Sequence, residues 1–257
     1  MDIQFAFGMI LSALIGLSLG LIGGGGSIIT VPVLVYALNV EPYDAVGMSL
    51  AVVGVTSLIG SFLHWRHGTL QMKTALIFGS AGIFGALAGS PLTKMLSPSA
   101  LMLAFAGLMF VVAILMLRKK TGNEVDVVST NVPSIWKALA VGFGVGVLTG
   151  FLGVGGGFLI VPALVMFGGL SIKDAIGTSL FVIFLNCVAG LAGHASQNHF
   201  NWNLTAIVTL LAGAGAIAGT MLSHRVAAQK LQKGFAMFVL MVAVLLIGKN
   251  YGVFFEG

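Results

Sequence analysis

Charged residues and cysteine are both scarce in this sequence of 257 residues. Only 7% of the residues are charged, whereas about a quarter are charged in an ordinary soluble domain, so the composition excludes a soluble fold. The single cysteine, Cys187, lies inside an apolar run, which excludes a disulfide framework and a thiolate metal cluster. The sequence also lacks a Walker-type nucleotide loop, and this argues against a primary pump.

The chain consists mainly of long apolar runs. With 58% hydrophobic residues and a mean hydropathy of +1.09, it is predicted to be an all-α polytopic protein of the cell inner membrane. The runs are too long for the strands of an outer-membrane barrel, which are about ten residues of alternating pattern. The net charge of +5 is what cytoplasmic loops supply, so no nucleic-acid partner is expected. The apolar runs cover approximately residues 3–38, 45–63, 74–93, 99–117, 135–168, 175–193, 203–222 and 230–248.

Two of these runs are about 34 residues long and contain related glycine-rich segments. The segments Gly20–Pro32 and Gly150–Pro162 are 130 residues apart, and the stretches 20–64 and 150–194 share 16 identities in 45 positions. An ordered set of Gly, Pro, Asp and His identities indicates an internal duplication. The predicted division is a first transmembrane repeat over 1–117, a polar cytoplasmic linker over 118–134 and a second transmembrane repeat over 135–257.

The distribution of the twelve Lys and Arg residues predicts how the repeats cross the membrane. If each glycine-broken run returns to the side from which it came, ten of the twelve lie on one face, and the positive-inside rule makes that face cytoplasmic. Each repeat is then a glycine-broken helical hairpin plus three spanning helices, and the second repeat is inverted relative to the first. Both termini would lie outside. If each broken run instead crosses the membrane once, seven basic residues lie on one face and five on the other, and this division specifies no orientation.

The two glycine clusters are the strongest candidates for a binding site. A helix break at membrane depth frees backbone N–H groups, and the N-terminus of the half-helix that follows attracts anions. Close helix packing through small residues is the alternative. We expect packing for Gly8, Gly16, Gly142, Gly146, Gly213 and Gly219. The predicted substrate-binding residues are Gly24, Gly25, Gly26 and Ser27 in the first cluster and Gly155, Gly156 and Gly157 in the second.

Each glycine cluster is followed by the motif Asp-Ala-x-Gly-x-Ser-Leu, which starts another helix. Asp44 and Asp174 are predicted at the N-caps of these helices, and this structural role is favoured over proton coupling. The serine of the motif lies inside the span, where its hydroxyl either bonds back to its own helix or donates to a ligand. The side-chain amide of Asn186, inside the second of these spans, also needs a hydrogen-bond partner, either a ligand or another helix. The further substrate-binding candidates on these helices are Ser49, Thr178, Ser179 and Asn186.

Both motif helices end in a histidine, His64 or His194. His64 is followed by Trp65 and Arg66, and an interfacial Trp beside an Arg is ordinarily a membrane-surface anchor. The alternative is a gate or an anion-attracting role. No histidine pair spaced by four residues and no supporting carboxylate indicates a metal site, so neither a metal nor a cofactor is expected. The gating or coupling candidates are Asp44, His64, Arg66, Asp174 and His194.

The paired segments also carry a family resemblance. Gly-Gly-Gly-Gly-Ser-Ile-Ile-Thr-Val-Pro32 and Gly-Val-Gly-Gly-Gly-Phe-Leu-Ile-Val-Pro162, each followed by Asp-Ala-x-Gly-x-Ser-Leu, resemble the sulfite exporter TauE/SafE family of permeases over about residues 8 to 248. The resemblance implies an inner-membrane carrier of sulfite, thiosulfate or organosulfonates that is coupled to an ion gradient. It leaves the cargo and the direction open. Because Val154 stands opposite Gly24, the two half-sites need not contribute equally.

The predicted function is therefore a secondary transporter of small sulfur-containing anions, with the anion held between the two half-helix N-termini and access alternating between the two sides. The expected partners are the anion, the lipid bilayer and a coupling proton or ion, and an oligomer is compatible with the sequence. An accessory membrane subunit that packs against a redox or assembly partner is the second hypothesis. An intramembrane enzyme that uses His64 and His194 is the third, and inverted repeats would place these residues near opposite faces.

Overall fold

The structure is a computed structural model, and it describes residues 3–89, 98–118, 135–152, 157–194 and 201–250. In these residues the chain is helical throughout its regular elements, without a β-strand, so the predicted all-α fold is confirmed. The predicted polar linker lies outside the described residues except for its first residue. The helices are α1 (Ile3–Ile22), α2 (Gly25–Tyr36), α3 (Pro42–Arg66), α4 (Met72–Gly89), α5 (Pro98–Arg118), α6 (Ile135–Leu152), α7 (Gly157–Met166), α8 (Ile172–His194), α9 (Trp202–Arg225) and α10 (Ala228–Asn250).

The first long apolar run forms a helical hairpin, as predicted. α1 ends where Gly23 adopts a φ of +85°, a conformation that residues with a side chain rarely adopt, and α2 begins two residues later. A methyl group added at Gly8 would lie 2.9 Å from Leu38 Cγ, and one added at Gly26 would lie 2.9 Å from Leu19 Cβ. The start of α1 therefore lies beside the end of α2, and the glycine break returns the chain to the end at which α1 begins.

The turn after α2 has the same geometry as the turn after α7, 130 residues later. The Val40 N–H donates to Leu34 O at 3.0 Å, and the Leu170 N–H donates to Leu164 O at 3.1 Å. The residue before each donor has a positive φ, +52° in the first turn and +65° in the second. α7 contacts α6 as α2 contacts α1, although residues 153–156, which join them, lie outside the described residues. These recurrences are what a duplication would produce, and the duplication itself stays a prediction.

α3 and α8 carry the two Asp-Ala-x-Gly-x-Ser-Leu motifs and cross the molecule in opposite directions. A methyl group at Gly60, near the end of α3, would lie 3.0 Å from Leu180 Cδ1, near the start of α8. One at Gly190, near the end of α8, would lie 3.2 Å from Leu50 Cδ1, near the start of α3. Opposite directions for two matching helices are what inverted repeats require.

Glycines let helices of the two halves touch at the backbone. A methyl group at Gly16 in α1 would lie 2.7 Å from the Cα atom of Ala212 in α9, and one at Gly146 in α6 would lie 2.8 Å from the Cα atom of Gly82 in α4. The first helix of each half thus packs on the fourth helix of the other half. The predicted packing role is confirmed for Gly16, Gly142, Gly146 and Gly219, which face backbone atoms, and for Gly8 and Gly213, which face side chains.

The described helices are those of a polytopic membrane protein. Four are long and apolar enough to span a membrane, namely Asp44–Arg66, Met72–Gly89, Ile172–Leu191 and Trp202–Arg225. Shorter apolar helices cover Gly8–Ile22, Gly25–Tyr36, Ala106–Arg118 and Ala138–Leu148. Large apolar side chains such as Phe84 and Leu210 are exposed on the outside of the bundle, where lipid would cover them.

One end of the bundle gathers the basic residues. Lys173 Nζ, at the start of α8, donates to the His224 carbonyl, at the end of α9, at 3.3 Å, and the His224 ring contacts that of His64 in α3. Gln232 Nε2, at the start of α10, donates to Met116 O, near the end of α5, at 2.8 Å. The positive-inside rule predicts that this end is cytoplasmic. These contacts join the helix ends that hold Arg66, Lys73, Arg118, Lys173, Arg225, Lys230 and Lys233, which we call the basic end.

Candidate functional site

The two glycine breaks meet inside the bundle. A methyl group added at Gly157, at the start of α7, would lie 2.8 Å from Ser27 Oγ and 3.3 Å from Gly24 Cα. These distances leave no room for a side chain, so the backbone of the second break touches the first turn of α2. We call Gly23, Gly24, Ser27 and Gly157 the paired breaks. They bring together two segments that lie far apart in the sequence.

α8 forms a wall beside the paired breaks. A methyl group at Gly23 would lie 2.8 Å from Ser179 Oγ and 3.4 Å from Ile176 Cα, and one at Gly157 would lie 3.0 Å from Ile183 Cδ1. These three α8 residues are spaced by three or four positions and therefore share one face of the helix. The contacted residues lie between the fifth and the twelfth of the 23 positions of α8, so the paired breaks lie in the half of the bundle that contains the start of α8.

Two hydroxyl groups lie at the paired breaks, one on Ser27 itself and one on Ser179 of α8. Ser27 Oγ and Ser179 Oγ each donate to the carbonyl oxygen three residues earlier, both at 2.8 Å. Their lone pairs remain on the oxygen, and rotation of the hydroxyl would turn the hydrogen toward a ligand. Ser49, the counterpart of Ser179 in the first half, also bonds back to its own helix, at 2.7 Å. Back-bonding is therefore the state of all three predicted serines.

α2 begins at the paired breaks without a side-chain cap. Gly24 is the N-cap residue and forms no side-chain cap hydrogen bond, so the first-turn N–H groups are left to other partners. These groups lie at the positive end of the helix dipole. Gly25 faces the Phe238 ring of α10, and Gly26 faces the Ile15 carbonyl and the Leu19 side chain of α1. Gly155 and Gly156, predicted in the second cluster, lie outside the described residues.

Thr178 and Asn186 have different surroundings on α8. The buried Thr178 hydroxyl accepts the N–H of Gln71 at 3.1 Å and holds the loop that joins α3 to α4. Asn186 is half-buried and lies one turn beyond Ile183, on the face that contacts the paired breaks. Asn186 therefore lies about one turn of α8 beyond the contact with the paired breaks.

Asp44 and Asp174 are the third residues of α3 and α8, so the predicted N-cap position is wrong by one turn. The residue before α8 is Ser171, whose Oγ accepts the Asp174 N–H at 3.1 Å and donates to Asp174 Oδ2 at 2.9 Å. The bond from the Asp174 N–H to Ser171 Oγ is the side-chain cap of α8, and the carboxylate at the third helical position holds the capping hydroxyl. In α3 the N-cap is Glu41, without a side-chain cap bond. The Asp174 carboxylate therefore stabilises the start of its helix.

Three histidines meet at the basic end, and we call them the histidine cluster. His64 is fully buried, and its ring centroid lies 4.8 Å from that of His224 in α9, which stacks on His67 at 4.1 Å. The sequence reasoning missed His224. The topology predicted from the basic residues could have indicated it. That topology ends α3 and α9 on the same face of the membrane, and each helix has a His and an Arg in its last turn. Within the described part of the chain, no group of three or more His, Cys, Asp or Glu side chains is arranged to hold a metal ion.

Arg66 and His194 lie apart from the histidine cluster. The exposed Arg66 places its guanidinium carbon 5.8 Å from the Phe62 ring centroid, beside the exposed Trp65, as a surface anchor would. His194 ends α8, which runs antiparallel to α3, so His64 and His194 stand at opposite ends of the bundle. The two histidines therefore do not share a catalytic site.

Comparisons with known proteins agree with a membrane transport fold. The family model described as Sulfite exporter TauE/SafE matches residues 8–246. A probable membrane transporter protein of Xylella fastidiosa (strain Temecula1) is 34% identical over 244 residues, which cover 93% of each chain. The probable membrane transporter protein YdhB of Bacillus subtilis is 30% identical over 213 residues, 82% of this chain and 87% of its own length. No solved structure matches the chain.

Proposed function

This chain belongs to the sulfite exporter TauE/SafE family, and we propose that it is a secondary transporter of small sulfur-containing anions such as sulfite, thiosulfate or organosulfonates. The family and the names of the relatives indicate a membrane transporter rather than an enzyme. Its apolar helices are those of a multi-pass protein of the plasma membrane. The anion, its binding site and its route are the subjects of the proposal.

The paired breaks are the observation that carries the proposal. α2 begins there without a side-chain cap, and the second break lies against its first turn. An anion at this place would meet backbone N–H groups and a helix dipole, which contributes about 0.3–1 kcal/mol and up to about 2 kcal/mol when partly buried. Each hydrogen bond to a charged group adds about 1.5–3 kcal/mol. Several donors of this strength together bind the anion, and none of them alone binds it too tightly for release.

The donors at the proposed site come from both halves of the chain. The first-turn N–H groups of α2 and the Ser27 hydroxyl belong to the first half, and the Ser179 hydroxyl on α8 belongs to the second. An oxyanion offers several acceptor oxygens that point in different directions, so it can bind donors on separate helices. Movement of one half against the other would separate these donors and change the side from which the anion is reached.

Transport by the purified chain alone tests the proposed function. Proteoliposomes preloaded with unlabelled sulfite would take up radiolabelled sulfite by exchange, and the flux into protein-free vesicles is subtracted. We expect saturable exchange that thiosulfate and an organosulfonate inhibit and that phosphate and chloride do not. If the purified chain shows no exchange with any of these anions, the accessory-subunit hypothesis replaces transport.

Matched serine variants test the site. Ser27→Ala and Ser179→Ala each remove a hydroxyl at the paired breaks, whereas Ser12→Ala removes a buried hydroxyl that also bonds back to its own helix, at 2.8 Å, far from the breaks. We expect the half-saturating anion concentration to rise at least about tenfold in each of the first two variants, since one hydrogen bond to a charged group is lost. Ser12→Ala should stay within about twofold of the wild type. Equal half-saturating anion concentrations in all three variants would show that the Ser27 and Ser179 hydroxyl groups do not bind the anion.

A further inference from the structure

The histidine cluster contains buried nitrogen atoms that lack a partner. His64 is 0% exposed, and its Nε2 atom, like the Nε2 atom of His224, has no hydrogen-bond partner among the described residues. A buried polar atom without a partner costs about 1–3 kcal/mol. Native proteins therefore rarely retain such atoms unless a ligand or a water molecule binds them. Two of them on adjacent rings indicate a place for a small hydrogen-bonding ligand.

Thr69 contacts the ring of His64 at Nδ1. Thr69 Oγ1 donates to the His64 carbonyl at 3.1 Å and lies 2.8 Å from His64 Nδ1, so it is an acceptor for an N–H group at Nδ1. In the tautomer that uses this acceptor, the neutral ring has its lone pair on Nε2. In this form Nε2 accepts a hydrogen bond or a proton, and only after protonation does it donate to an anion.

Further unpartnered atoms continue inward from His64 between α3 and α9. Ser57 Oγ on α3 and Thr220 Oγ1 on α9 are buried and also lack a partner within the described structure. A methyl group at Gly60 would lie 3.6 Å from Thr220 Oγ1, so Gly60 of α3 faces Thr220 of α9. Ser57 lies about two turns before His64, and Thr220 about one turn before His224. Each of the two helices therefore carries a buried, unpartnered hydroxyl group between its histidine and the interior of the bundle.

α8 connects His64 to the paired breaks. A methyl group at Gly177 would lie 2.8 Å from His64 Cβ. The neighbouring residues Ile176 and Ser179 face Gly23 at the paired breaks. A single turn of α8 therefore separates His64 from the site proposed for the anion.

The charged and titratable groups around His64 are basic. His224 faces it from α9 and stacks on His67, and Lys173 Nζ on α8 binds the His224 carbonyl. α1 has no ionisable side chain, and the Asp174 carboxylate accepts the Ser171 hydroxyl at the start of α8. A proton on His64 would therefore add positive charge to a buried basic region, which is costly without a counter-ion. An anion would offset that charge and accept the Nε2–H bond, so the proton and the anion favour each other's binding.

We propose that His64 and His224 form a second binding site, at the basic end of the transport path, which holds the transported anion together with one proton on His64 Nε2. This inference rests on the proposed transport function. The proton comes from water on one side of the membrane and returns to water on the other side when the anion leaves. The anion and the proton therefore move in the same direction.

Accumulation driven by a pH difference tests the coupling. Proteoliposomes with a clamped membrane potential and a more acidic exterior receive radiolabelled sulfite or thiosulfate. Thiosulfate carries no proton near neutral pH, so a proton that moves with it is held by the protein. A difference of about one pH unit supports about tenfold accumulation for each coupled proton. We expect the wild type and Lys233→Gln, an exposed control at the basic end, to approach this ratio.

His64→Gln should lose the accumulation. Its ratio should fall to about one, and its exchange should need at least about tenfold more anion, because one charge-assisted hydrogen bond is lost. Thr69→Val removes the acceptor of the Nδ1–H group and should also lower the accumulation ratio. This variant provides the test if His64→Gln does not insert into the membrane. Wild-type exchange without any response to the pH difference, or full accumulation by His64→Gln, would overturn the coupling while leaving transport intact. Absence of any wild-type exchange would overturn the transport function itself.

Discussion

Comparing Gly23→Ala with Gly68→Ala separates two free-energy costs: that of an alanine in the left-handed backbone conformation and that of a methyl group placed at the paired breaks. Gly23 has a φ of +85°, and Gly68, in the exposed loop after α3, has a φ of +73°. A methyl group at Gly68 would meet no atom of the described structure within 4 Å, whereas one at Gly23 would lie 2.8 Å from both Ser179 Oγ and Val161 Cγ2. Gly23→Ala and Gly68→Ala therefore share the backbone cost and differ in the contact.

The expected destabilisation by Gly23→Ala is about 2–5 kcal/mol. An alanine in the left-handed conformation costs about 1–2 kcal/mol, and this part applies to both variants. A methyl group that must displace packed atoms adds about 1–3 kcal/mol, and this part applies to Gly23→Ala alone. At about 2–4 °C per kcal/mol for a chain of this size, the two melting temperatures should differ by about 2–12 °C.

Thermal unfolding of the detergent-solubilised variants measures this difference, and sulfite exchange in proteoliposomes measures function. We expect Gly68→Ala to transport like the wild type and Gly23→Ala to lose most of its exchange well below its melting temperature. Combining Gly23→Ala with Val161→Ala removes one of the two close contacts and should recover part of the stability. Equal melting temperatures for Gly23→Ala and Gly68→Ala would refute the close approach of the two breaks.

Two further predictions concern helix packing and orientation. Gly16→Ala should destabilise the protein by about 1–3 kcal/mol because its methyl group meets the backbone of Ala212, whereas Gly107→Ala, with no described atom within 4 Å, should be neutral or stabilising by up to about 1 kcal/mol. Thermal unfolding compares them, and equal losses would contradict the backbone contact. In a variant without the native cysteine, an impermeant thiol reagent added to whole cells should label Glu41→Cys and spare Lys230→Cys. The reverse pattern would place the basic end outside.

The positions of the helix caps show how closely local patterns can be read from the sequence. The motif indicated that Asp174 begins α8, and the structure places it one turn inside, where it pairs with Ser171. Ser and Asp both favour the first turn of a helix, so composition alone does not distinguish the cap from the third position. The error is one of register, and the structural role expected for the carboxylate is retained.

The membrane class, the helical fold and the glycine breaks follow from the sequence by itself. A low charge content, apolar runs of helical length and glycines at matching places are local properties, and each has one physical outcome in a bilayer, where backbone groups must bond within the chain. The grouping of the basic residues at one end is predicted from the sequence on the interpretation that each glycine-broken run is a hairpin.

Only the tertiary structure decided which polar groups meet. The contact of Gly157 with Ser27, and the joining of His64 with His224, depend on how distant helices pack, and no periodicity in the sequence specifies a distance between them. Glycine stripes permit many close approaches between helices, and the packing of the whole bundle selects one of them. The candidate anion site and the histidine cluster are therefore properties of the packed bundle, whereas the breaks that allow them are properties of the sequence.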